Sequence, residues 1–248
     1  MSGEGFTGRT AVITGASRGI GAGIAEEFFN RGMNLGLCSR SAPARDSGDR
    51  VVSEKLDVRN AEEVEAFARR VVDRFGEIDV WVNNAGVLAP VGPMRDLDVE
   101  DFRGHVDTNL VGVFVGSRTF VRHRRLLGGG GVLINVSSGA AWSAYEGWSA
   151  YCASKAGVER FTECVQAEES ETGLRAYSLA PGVVDTAMQE EIRGFDAEIF
   201  PAVDRFLEMK AEDSFNTPGF VARHMLRMAF DPENVDPEVA QRLPDEKP

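Results

Sequence analysis

Short apolar runs alternate with segments of helical periodicity along most of this chain, and this alternation constrains the fold more than any other feature. The runs have the length and composition of buried strands. The predicted strands are residues 10–14, 34–38, 51–58, 80–83, 132–136 and 174–180. Strands that alternate with helices join through right-handed crossovers into a parallel sheet covered on both faces. We therefore predict an α/β fold.

Length and composition limit the classes of protein that need to be considered. The 248 residues contain no Pro- or Ser-rich linker and no internal repeat, which favours one domain. The net charge of −12 argues against a nucleic-acid partner and against a general affinity for anionic membranes. We expect no signal peptide at the N-terminus, because no basic segment precedes an apolar stretch, and no membrane span. The scattered Cys38, Cys152 and Cys164 predict reduced thiols in a cytoplasmic protein and no metal site.

Several helix boundaries are visible in the sequence. Asn60 and Glu63 form a predicted capping box, in which Glu63 reaches back to the start of the helix. Asp98 is predicted to cap a long helix that runs through residue 120, and Thr217 precedes a proline at a first helical position. Four glycines at residues 128–131 should break the chain before the fifth strand.

The segment at residues 14–21, Thr-Gly-Ala-Ser-Arg-Gly-Ile-Gly, lies directly between the first strand and the first helix. Glycines there allow a tight turn and a close backbone approach to a pyrophosphate, which the helix N-terminus would attract. A glycine-rich turn can also be purely structural. Its place after the first strand of an alternating pattern favours the dinucleotide interpretation.

Tyr151 and Lys155 lie four residues apart and would project from one face of a helix. A phenol, with a pKa of about 10, is a poor acid or base near neutrality. A neighbouring ammonium group favours the phenolate and is expected to lower that pKa. Ser138 would hold a carbonyl oxygen beside the phenol. The three residues together predict a proton-transfer device.

Taken together, these motifs resemble the short-chain dehydrogenase/reductase family. The resemblance runs from about residue 9 to residue 188 and includes the glycine turn, the Asn-Asn-Ala-Gly motif at residues 83–86 and Pro181-Gly182. It implies a Rossmann-type doubly wound parallel sheet in a single domain. The cofactor half would be about residues 9–136, the catalytic and substrate-lid half about 137–230, and an irregular tail 231–248.

The resemblance also assigns catalytic roles. Tyr151 would be the acid/base, Lys155 would lower its pKa and hold the nicotinamide ribose, and Ser138 would bind the substrate oxygen. Asn109 resembles the residue that orders a water behind the lysine. Two alternatives stay open: Ser137 could be the working hydroxyl, and Asn109 could merely cap backbone groups.

Cofactor contacts carried over from the family lie at the ends of the first four strands and of the sixth, and on the helix of Tyr151. Asn83 and Gly86 would serve both the sheet and the cofactor, and Asp57 would contact adenine or simply form a helix-entry turn. The full set is Gly15, Ser17, Arg18, Gly19, Ile20, Gly21, Ser39, Arg40, Asp57, Val58, Asn83, Ala85, Gly86, Tyr151, Lys155, Pro181, Gly182, Val184 and Thr186.

The choice between dinucleotides depends on the end of the second strand. A carboxylate there would bind a ribose 2′-hydroxyl and repel a 2′-phosphate. This chain has Ser39 and Arg40 instead, and Arg18 lies in the glycine turn. Two guanidinium groups suit a phosphate, unless they are only solvated surface groups. We predict a preference for NADP(H), with NAD(H) possible.

The chain departs from the family pattern in two places. Residues 41–50 are too short for the usual helix and read as a loop, from which Arg45 or Arg50 could help to bind the phosphate. The usual final glycine pair is absent, and residues 239–243 could form only a shortened strand. We therefore favour a homodimer through the two long helices over a tetramer.

The region around the predicted site is rich in aromatic and apolar residues. Tyr145, Trp148 and Met188 are the predicted substrate contacts, although each could be core. Residues 147–156 and 180–189 are also similar to the sepiapterin reductase and benzil reductase branch. We predict reversible reduction of a ketone or other carbonyl in a small, largely apolar molecule.

Two other functions stay open. One is a β-ketoacyl thioester reductase, which would need basic residues at its entrance; the cluster at residues 118–125 offers them, although cations there also complement a helix dipole. The other is a binding protein that senses NADP(H) without turnover.

Overall fold

Seven parallel strands form a single sheet in the computed structural model, which describes residues 5–246. They are β1 (Thr10–Thr14), β2 (Asn34–Ser39), β3 (Val51–Lys55), β4 (Val80–Asn83), β5 (Val132–Val136), β6 (Arg175–Ala180) and β7 (Ala240–Arg242). Their spatial order is β3-β2-β1-β4-β5-β6-β7. The predicted single-domain α/β fold is confirmed. Residues 1–4, part of the segment expected to lack a signal peptide, and residues 247–248 of the predicted tail lie outside the described residues.

Eight α-helices of the described chain connect the strands. They are α1 (Gly19–Asn30), α2 (Ala61–Phe75), α3 (Val99–Val106), α4 (Gly112–Leu126), α5 (Ser149–Glu169), α6 (Ala187–Arg193), α7 (Val203–Ala211) and α8 (Pro218–Phe230). None of these helices is both long enough and apolar enough to cross a membrane.

Both faces of the sheet are buried. Successive residues of each strand point to opposite faces, so neighbouring residues pack against different helices. Ile13 packs with residues of α1 and α8, including Phe28 and Met225. Val12, its neighbour in β1, packs instead with residues of α2, including Phe67. Helices therefore cover both faces, which explains why the strands read as continuous apolar runs.

The strands β1, β4 and β5 have the predicted bounds. The predicted bounds of the other strands need correction. The third strand ends at Lys55, so Val58 lies in the following turn. The tail is not wholly irregular, because β7 pairs in parallel with β6, with Ala180 opposite Arg242. Residues 41–50 contain no helix, as predicted.

The helix caps follow the sequence closely. Asn60 accepts hydrogen bonds from the backbone N–H groups of residues 62 and 63, and Asp98 accepts those of residues 100 and 101. Glu63 does not bind the Asn60 backbone as a capping box would. Its carboxylate accepts from the Asn60 side-chain amide and from the Asp57 N–H. The Glu63 carboxylate therefore holds residues 57–60, the segment that leads into α2.

The long helix predicted after Asp98 is interrupted. A single π-helical turn, Asp107–Val111, separates α3 from α4. Turns of this kind are rare and frequently occur at functional sites. Asn109 lies within it and is fully buried.

Candidate active site

The strand order reverses between β1 and β4, and the carboxyl ends of these strands border the crevice expected at such a reversal. The Thr14 hydroxyl accepts hydrogen bonds from the backbone N–H groups of Asn84 and Ala85, at 3.0 and 3.1 Å. The Asn84 side chain donates to the carbonyls of Thr14 and Gly15, at 3.0 and 3.2 Å. Open α/β sheets bind ligands at such a reversal. Asn84 was not among the predicted contacts, yet it holds the glycine turn in place.

The glycine turn has the geometry of a phosphate cradle. Gly15 and Gly19 have φ angles of +67° and +58°, and a Cβ on Gly15 would lie 2.7 Å from the Ala85 Cα. Arg18 occupies the N-cap of α1 without a side-chain capping bond, and the first turn holds no acidic residue. The first N–H groups of α1 are thus left for an anion, which fits a bound dinucleotide diphosphate. The predicted contact Ser17 lies in the same turn, and Ile20 and Gly21 lie in the first helical turn of α1.

The corner expected to hold the adenosine ribose is basic. Arg18 and Arg40 are both exposed. The Ser39 hydroxyl donates to the Ser41 carbonyl at 2.7 Å and shapes the turn after β2. Asp57 is paired with Arg59, whose Nη2 lies 2.6 Å from its Oδ2. This hydrogen-bonded pairing lowers the pKa of Asp57, so the carboxylate is charged and engaged at the edge of the crevice.

Arg45 and Arg50 point elsewhere. Their guanidinium groups lie 4.0 and 3.9 Å from the Phe29 ring centroid. Arg50 also donates to the carbonyls of Phe29 and Met33, each at 3.1 Å. The loop at residues 41–50 is thereby anchored to α1, and a phosphate role for either arginine has no support in these contacts.

Asn83 was predicted to serve both the sheet and the cofactor, and its side-chain contacts are those of the sheet. Its side-chain amide donates to Asn135 Oδ1 at 2.8 Å and to the Ser117 hydroxyl at 3.1 Å, and its oxygen accepts from the Trp81 indole at 2.8 Å. These partners are buried between β4, β5 and α4. The Asn83 side chain therefore braces the sheet. Gly86 lies beside Asn109, because a Cβ on Gly86 would lie 3.4 Å from Asn109 Oδ1.

The Tyr151 phenol and its predicted partners meet at the end of β5. The Lys155 ammonium donates to the carbonyl of Val136, the last residue of β5, at 2.8 Å, and lies 5.6 Å from the Tyr151 ring centroid. Ser137 turns away, with its hydroxyl 3.5 Å from the Lys155 carbonyl. The Ser138 hydroxyl accepts the Ala140 N–H at 3.2 Å and lies near enough to Tyr151 to favour a lower pKa of the phenol. Neighbouring residues at a strand end point in opposite directions, which explains the difference.

The protonation of the pair differs from the expectation. Burial raises the pKa of Tyr151, and hydrogen bonding to Ser138 only partly offsets that increase. Burial also lowers the pKa of Lys155 to about 8. The net shift in the pKa of Tyr151 is therefore opposite to the depression expected from Lys155, because desolvation of the phenolate is its largest cause. Tyr151 carries its proton at neutral pH.

A buried histidine organises the other side of the site. His105 Nδ1 donates to the Ala89 carbonyl at 2.8 Å, and its Nε2 lies 3.0 Å from Asn109 Nδ2. Asn109 also donates to the Val87 carbonyl and accepts the Val87 N–H, both at 2.8 Å. Burial lowers the pKa of His105, which suits this neutral tautomer. Both amide protons of Asn109 are engaged, which favours a role in capping the backbone.

Residues 181–186 form the wall opposite the glycine turn. A Cβ on Gly19 would lie 3.2 Å from Thr186 Cγ2, so the two segments face each other. Gly182 has a φ angle of +74°, and Val184 is buried. Pro181, Gly182, Val184 and Thr186 thus border the same crevice as the predicted phosphate cradle.

The predicted substrate residues belong to an aromatic cluster under the lid helices α6 and α7. Trp148 is only 4% exposed and stacks on Phe200, with ring centroids 4.5 Å apart. It also meets Tyr151 edge-on at 5.4 Å. Tyr145 and Met188 pack against this cluster, and the Tyr145 hydroxyl accepts from Arg205 of α7 at 3.0 Å. Trp148 therefore joins the lid to the catalytic helix as part of a core.

Comparison with known proteins identifies the family. The family model described as short chain dehydrogenase matches residues 9–196. The chain belongs to the short-chain dehydrogenase family. It is accordingly an oxidoreductase that interconverts carbonyls and alcohols, with a fold of the Rossmann type.

Relatives and solved structures span most of this chain. A benzil reductase ((S)-benzoin forming) of Bacillus cereus is 34% identical over 227 residues, covering 87% of this chain and 91% of its own. A 3beta-hydroxysteroid dehydrogenase of Eggerthella lenta is 33% identical, with coverage of 82% and 80%. The crystal structure of KRED1-Pglu has a TM-score of 0.84 and 33% identity, and it covers 95% of this chain and all of its own. A variant of actinorhodin polyketide ketoreductase with NADPH has a TM-score of 0.80 and 28% identity, and covers 95% of each chain.

The two adjacent serines offer a matched test of the site. Ser138→Ala should lower kcat/KM for carbonyl reduction by about 10²-fold, because it removes the donor expected at the reacting oxygen. Ser137→Ala should change it little, because that hydroxyl faces the Lys155 carbonyl. Steady-state kinetics on both variants measures the difference. A larger loss in Ser137→Ala than in Ser138→Ala would contradict the assignment.

Proposed function

We propose that this protein is an NADP(H)-dependent reductase that converts a ketone in a small, largely apolar molecule to an alcohol. The observation that carries the proposal is the buried Tyr151 phenol, whose pKa is raised by burial, with the Lys155 ammonium 5.6 Å from its ring centroid. We assign residues of about 9–136 to cofactor binding and about 137–230 to catalysis and the lid. The free N–H groups of α1 and the facing segment at residues 181–186 fit a dinucleotide.

The mechanism follows from the positions of three side chains. The glycine turn and residues 181–186 would hold the dinucleotide, whose nicotinamide would supply the hydride for the carbonyl carbon. Ser138 donates a hydrogen bond to the carbonyl oxygen and fixes it beside the phenol. Tyr151 gives its O–H proton to that oxygen as negative charge develops, so the alcohol O–H forms while the tyrosine O–H breaks. Lys155 stabilises the phenolate that remains, and reprotonation comes from solvent.

The protonation state of Tyr151 is the one that the reductive step requires. A proton donor must carry its proton before the reaction, and burial keeps Tyr151 in that form. Oxidation would begin from the phenolate, which burial disfavours. Asn109 would order a water behind Lys155 through the acceptor capacity left on its side-chain oxygen or through its backbone.

The preference for NADP(H) rests on the basic corner at the adenosine end. Arg18 and Arg40 are exposed cations with no ion-pair partner among residues 5–246, and no acidic residue ends β2. Guanidinium groups bind phosphate through paired, charge-assisted hydrogen bonds. One structural neighbour was solved with NADPH, which supports the same choice. NAD(H) would serve as the weaker cofactor.

The aromatic cluster supports an apolar substrate. Trp148, Phe200 and Phe206 pack beside Tyr151 beneath the lid. Relatives named for benzil and a hydroxysteroid support a bulky apolar ketone. The thioester alternative is less favoured, because the basic cluster of α4 is internally paired: Arg118 and Arg122 with Glu65, Arg124 with Glu77, and Arg125 with Glu169. Rates with benzil and with acetoacetyl-coenzyme A would distinguish the two.

We further propose a homodimer in the cytoplasm. Val111 at the end of the π-helical turn and Phe114 of α4 are exposed, and Phe114 meets Phe161 of α5 edge-on at 6.0 Å. Such a face is suited to a second copy. The three cysteines are unpaired, as expected in a reducing compartment.

The cofactor preference is tested by comparing kcat/KM with NADPH and NADH. We expect NADPH to be preferred, and Arg40→Gln or Arg18→Gln to lower kcat/KM for NADPH by about 10- to 100-fold while leaving NADH nearly unchanged. Arg45→Gln is the matched control, since that guanidinium already stacks on Phe29. Equal or better use of NADH by the unaltered enzyme would refute the preference.

The buried lysine predicts the pH dependence of reduction. Lys155 is charged below its pKa of about 8 and loses its proton above it. The kcat/KM for ketone reduction should therefore be level near pH 6–7 and fall with rising pH through about 8. The profile is measured in buffers of constant ionic strength, with circular dichroism checking that the fold persists. An unchanged rate up to pH 9.5 would show that the ammonium is not needed.

A further inference from the structure

The C-terminal residues reach back to the crevice wall at residues 181–186 through one buried asparagine. Asn216 lies between α7 and α8 and is 4% exposed. Its side-chain amide donates to the Pro181 carbonyl at 2.9 Å and to the Pro244 carbonyl at 3.1 Å, and its oxygen accepts the Glu246 N–H at 2.6 Å. One side chain thus bridges the crevice wall and the tail.

Backbone contacts hold the same wall from behind. The Asn216 N–H donates to the Val183 carbonyl at 2.8 Å, and Asn216 forms a parallel β-bridge with Val184. The Leu243 N–H donates to the Ala180 carbonyl at 3.0 Å, which extends the pairing of β7 with β6. The carbonyls of residues 180, 181 and 183 are therefore all fixed by Asn216 and the tail.

Glu246 connects the tail to α8 through two side-chain contacts. Its Oε2 accepts the N–H of Thr217, the N-cap of α8, at 2.7 Å, and its Oε1 lies 3.2 Å from Arg223 Nη2. The tail is consequently tied both to the asparagine and to the helix that follows it. Because Asn216 is buried, the loss of its hydrogen-bonding side chain would be costly.

The segment at residues 181–186 packs closely against Asn216. A Cβ on Gly182 would lie 2.6 Å from Asn216 Nδ2, so the wall cannot move toward the tail. On the other side, Thr186 approaches the glycine turn at Gly19. The position of the wall across the crevice is therefore set by the tail on one side and limited by the glycine turn on the other.

We propose that Asn216 and Glu246, with the backbone of Leu243 and Pro244, form a positioning brace for the nicotinamide half of the cofactor site. The inference rests on the proposed binding of NADP(H). Neither residue touches the reacting atoms. The brace holds the backbone of residues 181–184 at the distance from the glycine turn that the nicotinamide needs. It leaves the adenosine half of the site unaffected, because Arg18 and Arg40 lie on other elements.

The test compares two ligands that differ only in the nicotinamide. NADPH and 2′-phospho-ADP-ribose are titrated by calorimetry against the full-length protein and its variants. Asn216→Leu should weaken NADPH by about tenfold and leave 2′-phospho-ADP-ribose within about twofold. Glu246→Gln keeps an acceptor but loses the charge, and should weaken NADPH in the same direction by a smaller factor. Asp245→Asn, the same change at the exposed neighbouring position, is the control and should bind both ligands normally.

Three results would overturn the assignment. NADPH affinity unchanged in both Asn216→Leu and Glu246→Gln would show that the tail does not position the site. An equal loss for both ligands would indicate general destabilisation instead of positioning. If Asn216→Leu does not fold, the ratio of the two affinities in Glu246→Gln decides. Failure of the unaltered protein to bind either ligand would instead refute the proposed function, and the brace with it.

Discussion

The reversal of strand order between β1 and β4 is the constraint on which the rest of the structure depends. Because the chain winds away in opposite directions from these two strands, their carboxyl ends are left uncovered by a crossover. The glycine turn, Asn84 and the wall at residues 181–186 all border that opening. Lys155 then ties α5 to the end of β5, which places Tyr151 on the same edge of the sheet. Cofactor and proton donor meet there for topological reasons.

Features encoded in short stretches were predicted well. The bounds of β1, β4 and β5 match because strands buried on both faces read as uninterrupted apolar runs. The caps Asn60, Asp98 and Thr217 match because a capping side chain binds amides two or three residues away. The separation between Ser138 and Tyr151 likewise needed only the order of motifs along the chain.

Features set by distant contacts could not be predicted in the same way. Asn83 and Asn84 are chemically identical neighbours, and only the packing against α4 decides that Asn83 braces the sheet while Asn84 holds the glycine turn. The pairing of His105 with Asn109 depends on a π-helical turn that has no sequence signature. The raised pKa of Tyr151 reflects burial by a lid whose contacts lie about fifty residues further along the chain.

The central claim is that Tyr151 supplies the proton while the surrounding crevice binds the dinucleotide. The most direct measurement is the single-turnover rate of NADPH oxidation with a bulky apolar ketone in Tyr151→Phe, beside the NADPH dissociation constant of the same variant. The account predicts a rate lower by about 10²- to 10⁴-fold with cofactor affinity nearly unchanged, because only the hydroxyl is removed. A variant that keeps nearly the full rate would contradict it.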